Sequence, residues 1–104
     1  MTREKVYTRV GDDGTTGLFY GGRVAKDSAL PRAYGAVDEA QAVIGLVRAE
    51  LGRENELNDV LVHIMRDLWV LMAELGTLAE NRHKLTDGKS RVTYAMVSHL
   101  EEMI

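Results

Sequence analysis

Apolar residues recur through the middle of the chain in an alternating rhythm of four and three. Ala33, Val37, Ala40, Ile44, Val47 and Leu51 keep it first, and that spacing predicts one face of an amphipathic helix. Ser28 or a neighbour stands at the expected helix start, Pro31 at a tolerated first-turn position, and Gly52 where a C-cap belongs, with Arg53 just beyond. Leu57, Leu61, Ile64, Leu68, Leu71, Leu75 and Leu78 repeat the rhythm and predict a second helix from about Leu57 to Glu80, started by Asn55 or a neighbour. At about 1.5 Å per residue this is a rod of roughly 36 Å, the length of a bundle helix. Asn81 to Ser90 (NRHKLTDGKS) reads as a polar linker turning at Asp87-Gly88. Thr93 can then cap a third helix carrying Ala95 or Met96, Leu100 and Met103 inward, with Glu101 and Glu102 outward.

Secondary stripes add two expectations. Val62, Met65, Trp69, Met72, Gly76 and Ala79 run beside the leucine stripe at the same rhythm, and so wide an apolar surface needs cover on more than one side. Three helices supply part of it and a second copy of the chain the rest, so burial alone predicts self-association. Met65, Trp69 and Met72 read as core or interface packing in preference to a cofactor box. On the first helix, Tyr34, Asp38, Gln41, Gly45 and Arg48 form a mostly polar stripe. By residue type Asp38 and its neighbour Glu39 are solvated carboxylates favoured by the helix N-terminus.

Before Asp27 the helical rhythm is absent. The run YTRVGDDGTTGLFYGGRVAKD, Tyr7 to Asp27, holds Gly11, Gly14, Gly17, Gly21 and Gly22, half of the ten glycines in the chain. Val6, Tyr7, Val10, Leu18, Phe19, Tyr20 and Val24 punctuate it with residues that favour burial. A long irregular segment in a compact domain is usually functional. Glycines let successive N–H groups approach an anion, Thr8, Thr15 and Thr16 add hydroxyls, and Arg9, Arg23 and Lys26 add positive charge. Together these are phosphate ligands. Asp12 and Asp13 would hold the loop through backbone N–H groups or balance a magnesium ion carried by a nucleotide. The run is neither a Walker A loop nor a GxGxxG fingerprint nor a calcium loop. The alternative on residue type is a glycine-rich hairpin or Ω-loop packed on the domain, with Gly-Asp-Asp-Gly as its turn.

Composition narrows the classes. A chain of 104 residues with 45% hydrophobic and 28% charged residues fits a single domain, divided into a loop over 1–30 and a helical portion over 31–104. A net charge of −3 disfavours nucleic acid as the main partner. The absence of cysteine removes disulfides and thiolate chemistry, and His63, His83 and His99 lack metal-ligand spacing. The N-terminus lacks an apolar export core, and the longest apolar run, Leu68 to Ala73, is too short to span a bilayer. The expectation is a cytoplasmic protein.

Two motifs at a set distance, VYTRVGDDGTTGLFYGGRVAKD and AYGAVDEAQAVIGLVRAEL, resemble the N-terminal part of a PduO-type ATP:cob(I)alamin adenosyltransferase. The shared pattern is a TRxGDxGxT loop, a basic residue near position 26, and YGxVDE opening a helix. Val10 stands where a threonine is common and Tyr20-Gly21-Gly22 where three glycines are usual. The resemblance implies an all-α fold, a bundle of five helices of which this chain holds three, preceded by a glycine-rich nucleotide-binding loop and assembled as a homotrimer. Family members continue into two further helices, one bearing an arginine-rich RRxER segment, so the resemblance covers the first half of the family's domain.

The resemblance also implies ATP contacts from Thr8, Arg9, Val10, Gly11, Asp12, Gly14, Thr15, Thr16 and Gly17, with Lys26 on the phosphates. Asp38 matches the aspartate that pairs with an arginine of the RRxER segment. The implied reaction moves the 5′-deoxyadenosyl group of ATP, carried with Mg2+, onto cob(I)alamin and releases triphosphate. The alternative is a non-catalytic ATP-binding or helical oligomerisation module lacking the C-terminal half of the site.

Overall fold

The computed structural model describes residues 14–104. A hairpin of β1 (Thr15–Gly17) and β2 (Arg23–Ala25) leads into α1 (Ala29–Leu51) and α2 (Leu57–Leu75), then a 3₁₀ helix (Ala79–Lys84) and α3 (Tyr94–Met103). The fold is a helical bundle with a small N-terminal hairpin, and no described helix is long and apolar enough to cross a membrane. The hairpin is antiparallel with Thr15 opposite Ala25, Thr16 opposite Val24 and Gly17 opposite Arg23. Its turn is Leu18 to Gly22, closed by the Leu18 N–H on the Gly22 carbonyl at 2.9 Å. Gly-Asp-Asp-Gly is therefore not the turn of this hairpin; Gly11 to Asp13 lie outside the described residues.

Local signals place the helix ends. Ser28 precedes α1 in extended backbone, but its hydroxyl donates to the Ala25 carbonyl at 2.6 Å and ties the helix to β2, where a capping side chain would accept from the first turn. Gly52 ends α1 at φ +83, a conformation glycine adopts without the Cβ penalty. The Asn55 carboxamide accepts the Leu57 N–H at 2.9 Å and starts α2. Thr93 caps α3 by accepting the Met96 N–H at 3.3 Å.

The face that α1 turns to α2 lies between the two stripes of its sequence. Val37, Ile44 and Leu51 are half-buried, but so are Tyr34, Gln41 and Arg48 of the polar stripe. Gln41 Nε2 donates to the Met65 carbonyl at 2.7 Å and Arg48 Nε to Asn58 Oδ1 at 3.0 Å, so α2 receives side chains of the polar stripe as well as of the apolar one. Ala40 is exposed, and Val43, Leu46 and Val47 are 55%, 69% and 44% exposed.

The second helix stops at Leu75, short of the expected Glu80. Gly76 is the reason. Its carbonyl, which could have accepted the N–H of residue 80, instead accepts the Phe19 N–H of the hairpin turn at 2.9 Å. The Thr77 hydroxyl bonds back to the Ala73 carbonyl at 2.7 Å, and Leu78 turns to extended backbone.

The expected polar linker is also structured. Its first part is the 3₁₀ helix, and Thr86 to Arg91 close a tight loop in which the Ser90 and Arg91 N–H groups both reach the Thr86 carbonyl. The Glu74 carboxylate fastens this loop to α2, accepting the Val92 N–H at 2.9 Å and facing Arg82 at 3.5 Å. Val70 and Leu85 are the buried hydrophobic residues among those described, joined by Thr77 and Ser90.

Candidate functional site

The hairpin collects one half of the expected nucleotide residues. Gly14, Thr15, Thr16 and Gly17 lie on or beside β1, and the register returns β2 so that the Lys26 N–H donates to the Gly14 carbonyl at 3.0 Å. Gly14 sits at φ +86 with open space where a Cβ would stand, and both Gly14 and Lys26 are exposed. Among the described residues, none apart from its chain neighbours lies within 4 Å of that Cβ position to obstruct approach to the backbone. Arg23, equal to Lys26 in the sequence as a cation, is engaged within the hairpin: its Nε donates to Thr15 Oγ1 at 3.0 Å and Nη2 to the Thr15 carbonyl at 3.1 Å. Thr8, Arg9, Val10, Gly11 and Asp12 lie outside the described residues, as does Asp13.

The hairpin is seated on the end of α2. Besides the Phe19 bond to Gly76, Gly22 lies against Leu78 so closely that a Cβ at that position would overlap the Leu78 side chain. Tyr20, Gly21 and Gly22 all have positive φ, of 64°, 106° and 87°. The turn thus places a tyrosine in a left-handed conformation that costs a non-glycine residue about 1–2 kcal/mol.

From this seat a run of adjoining cavities follows α2. The first, about 270 Å3, lies under the hairpin between Gly17, Phe19, Tyr34, Met72 and Gly76. Phe19 and Met72 are shared with the next, of about 250 Å3, which Trp69 and Lys89 also line. Trp69 and Lys89 in turn border the largest, of about 600 Å3, which Asp38, Gln41, Arg48 and Arg66 help to wall. The floor of the groove is therefore the second stripe of α2, with Trp69 67% exposed in it.

Asp38 stands apart from the hairpin residues, in the far cavity with Arg48, Arg66 and Lys89. It is exposed, and nine residues into α1 it lies about 14 Å from the helix start at about 1.5 Å per residue. Helix-end electrostatics fade within the first turn, so the N-terminus of α1 is not what favours this carboxylate; Arg48, Arg66 and Lys89 line the same cavity. Gln41, whose Nε2 is spent on Met65, keeps Oε1 shielded from solvent and without a partner among the described residues. Sequence reasoning did not single out Gln41, Arg48 or Lys89, although the first two share a helical face with Asp38 and could have been read from it. Among the described residues no group of three or more His, Asp or Glu is arranged to hold a metal ion.

Comparison with known proteins identifies the source of this architecture. A family model described as cobalamin adenosyltransferase matches residues 6–104, essentially the entire chain. The chain belongs to the cobalamin adenosyltransferase family. It is 40% identical over 100 residues to a corrinoid adenosyltransferase of Citrobacter freundii, covering 96% of this chain and 54% of that protein. A corrinoid adenosyltransferase of Mycobacterium bovis is 46% identical over 78 residues, 74% of this chain and 40% of the relative. The corrinoid adenosyltransferase PduO of Salmonella typhimurium is 40% identical over 75 residues, 72% of this chain and 22% of its own length. The chain thus spans about half the length, or less, of these curated relatives of the adenosyltransferase family.

Proposed function

We propose that this chain carries the nucleotide-binding part of a corrinoid adenosyltransferase, which transfers the 5′-deoxyadenosyl group of ATP to the Co(I) centre of a reduced corrinoid such as cob(I)alamin. The observation that carries the reading is the hairpin register, which unites Gly14 to Gly17 with Lys26 in a member of this family. In this reading the backbone of Thr8, Arg9, Val10 and Gly11, with Asp12, continues the cradle that Gly14, Thr15, Thr16 and Gly17 begin, and the Lys26 ammonium meets the phosphates. Magnesium arrives with the nucleotide.

The reaction forms a cobalt–carbon bond at the ribose C5′ while the bond from C5′ to the phosphate oxygen breaks, and both electrons of the new bond come from Co(I). Triphosphate leaves with the electron pair of the broken bond. The protein must hold C5′ in line with cobalt and stabilise charge gathering on the triphosphate, tasks for orientation and for fixed N–H and ammonium groups. No side chain has to remove a proton. Asp38 serves as an ion-pair partner for an arginine, and its exposure on the wall of a cavity supports that role. The exposed apolar residues of α1, Val43, Leu46 and Val47, support a homotrimer in which subunits cover one another.

Chemically reduced cob(I)alamin mixed with MgATP tests the reading. The expected result is the adenosylcobalamin spectrum with one triphosphate per corrinoid, a Lys26→Ala variant at least tenfold weaker for MgATP by calorimetry, and an Asp38→Asn variant slower in turnover. Nucleotide binding without alkylated cobalt would make the chain a binding module; neither binding nor product would refute the proposal.

A further inference from the structure

We infer that Arg23 is a positioning residue for the nucleotide cradle, acting through Thr15 and not by touching the phosphates. The inference rests on the ATP-binding reading of β1; the hairpin geometry behind it does not.

In the hairpin, Arg23 is directly opposite Gly17, and Thr15 is directly opposite Ala25. Side chains alternate faces along a strand, so Thr15, Gly17, Arg23 and Ala25 share one face of the ribbon. Two of these four have almost no side chain. Arg23 can therefore lie diagonally across the ribbon, over Gly17, where a Cβ would stand 3.4 Å from its Nη1. Its fork ends on Thr15, with Nε on the hydroxyl at 3.0 Å and Nη2 on the carbonyl at 3.1 Å. Diagonal partners across an antiparallel pair are within reach only of long side chains.

Two bonds from one planar group to the side chain and main chain of one residue fix both. Nε–H occupies a lone pair of Thr15 Oγ1, which sets the hydroxyl's remaining directions, and the carbonyl bond fixes the peptide plane between Thr15 and Thr16. That plane also carries the Thr16 N–H, which the register aims across the ladder at Val24, so the group that Arg23 holds toward the proposed site is the Thr15 hydroxyl. A lysine at position 23 would preserve the charge but cannot make two parallel bonds of this geometry. Gly17 has a second consequence: a Cβ there would already be in contact with the guanidinium, so a side chain larger than alanine would compete with Arg23 for this face.

The test is calorimetric titration of MgATP into the 104-residue chain and its Arg23→Ala, Arg23→Lys and Thr15→Val variants, with the Arg23→Ala/Thr15→Val double variant. Both Arg23 substitutions are expected to weaken binding about tenfold, with lysine giving no rescue, and Arg23→Ala to lose at least half of its effect when Thr15 is valine. Full rescue by lysine would show that charge alone matters, and an undiminished effect in the Thr15→Val background would make Arg23 a direct ligand; either overturns the inference. If the parent chain binds no MgATP, the functional reading fails separately, and hydrogen exchange of nucleotide-free protein decides: amides of Thr15 to Gly17 should exchange at least tenfold faster in Arg23→Ala with those of α1 unchanged. Equal exchange overturns the positioning role.

Discussion

Gly22 offers the sharpest check on how the hairpin is attached to the helices. Alanine there meets two penalties. At φ +87 the added Cβ belongs to a left-handed backbone, a cost of about 1–2 kcal/mol, of which about 0.4–1 kcal/mol returns because alanine also restricts the unfolded chain. The Cβ would also overlap Leu78 Cδ1 and stand 3.5 Å from Cγ, and turning aside the end of this half-buried side chain adds about 1 kcal/mol, the low end of the cost of overpacking. Gly21 is the internal control. Its φ is +106, but the nearest atom to a Cβ is Asn81 Nδ2 at 3.9 Å, so alanine there carries the backbone term alone. Gly22→Ala should then destabilise by about 2 kcal/mol and Gly21→Ala by about 1 kcal/mol.

The assay is urea unfolding at fixed protein concentration, with m values compared so that the midpoint shift is read as stability. Leu78→Ala completes a cycle. Removing Cγ and both Cδ atoms opens the space the new methyl needs, so Gly22→Ala should cost about 1 kcal/mol less in that background, well beyond the few tenths expected of independent sites. Additive effects, or equal losses at Gly21 and Gly22, would refute the idea that the turn is held by its fit against Leu78.

Glu74 fastens the loop before α3, so Glu74→Ala should lose about 1–3 kcal/mol by leaving the Val92 N–H without its acceptor. Glu74→Gln, which keeps an acceptor oxygen, should lose less; equal losses in urea unfolding would contradict the assignment. Leu46, 69% exposed on α1, should tolerate glutamate with unchanged circular dichroism while sedimentation shows self-association lost. Persistent assembly would take this face out of the subunit contact.

Three helices, their order and most of their caps were legible because each signal is local. Gly52, Asn55 and Thr93 act within a few residues of themselves, and the structure uses all three. The end of α2 was not legible. Gly76 falls in phase with Met65, Trp69 and Met72, and nothing nearby in the sequence says that its carbonyl will be claimed by Phe19, more than fifty residues earlier. The 3₁₀ helix and loop after it were hidden for the same reason: Glu74, on the helix, supplies the acceptor that orders Val92. Polar composition reported the surface of that segment and missed its bonds.

The site divides along the same line. Residue types named the phosphate ligands as a set, and in that set Arg23 and Lys26 were interchangeable cations. Pairing distinguishes them: Arg23 faces a glycine and can fold across it to Thr15, while Lys26 follows the last paired residue and leaves its side chain at the exposed corner beside Gly14. Asp38 shows the converse. Its position early in the numbering of α1 suggested help from the helix end, yet with about 1.5 Å of rise per residue it is already in the third turn. Arg48 from its own helix, Arg66 from α2 and Lys89 from the following loop line the same cavity, and only packing brings these three elements together. In the proposed site Asp38 must offer its oxygens to an arginine from elsewhere, and its exposure meets that condition.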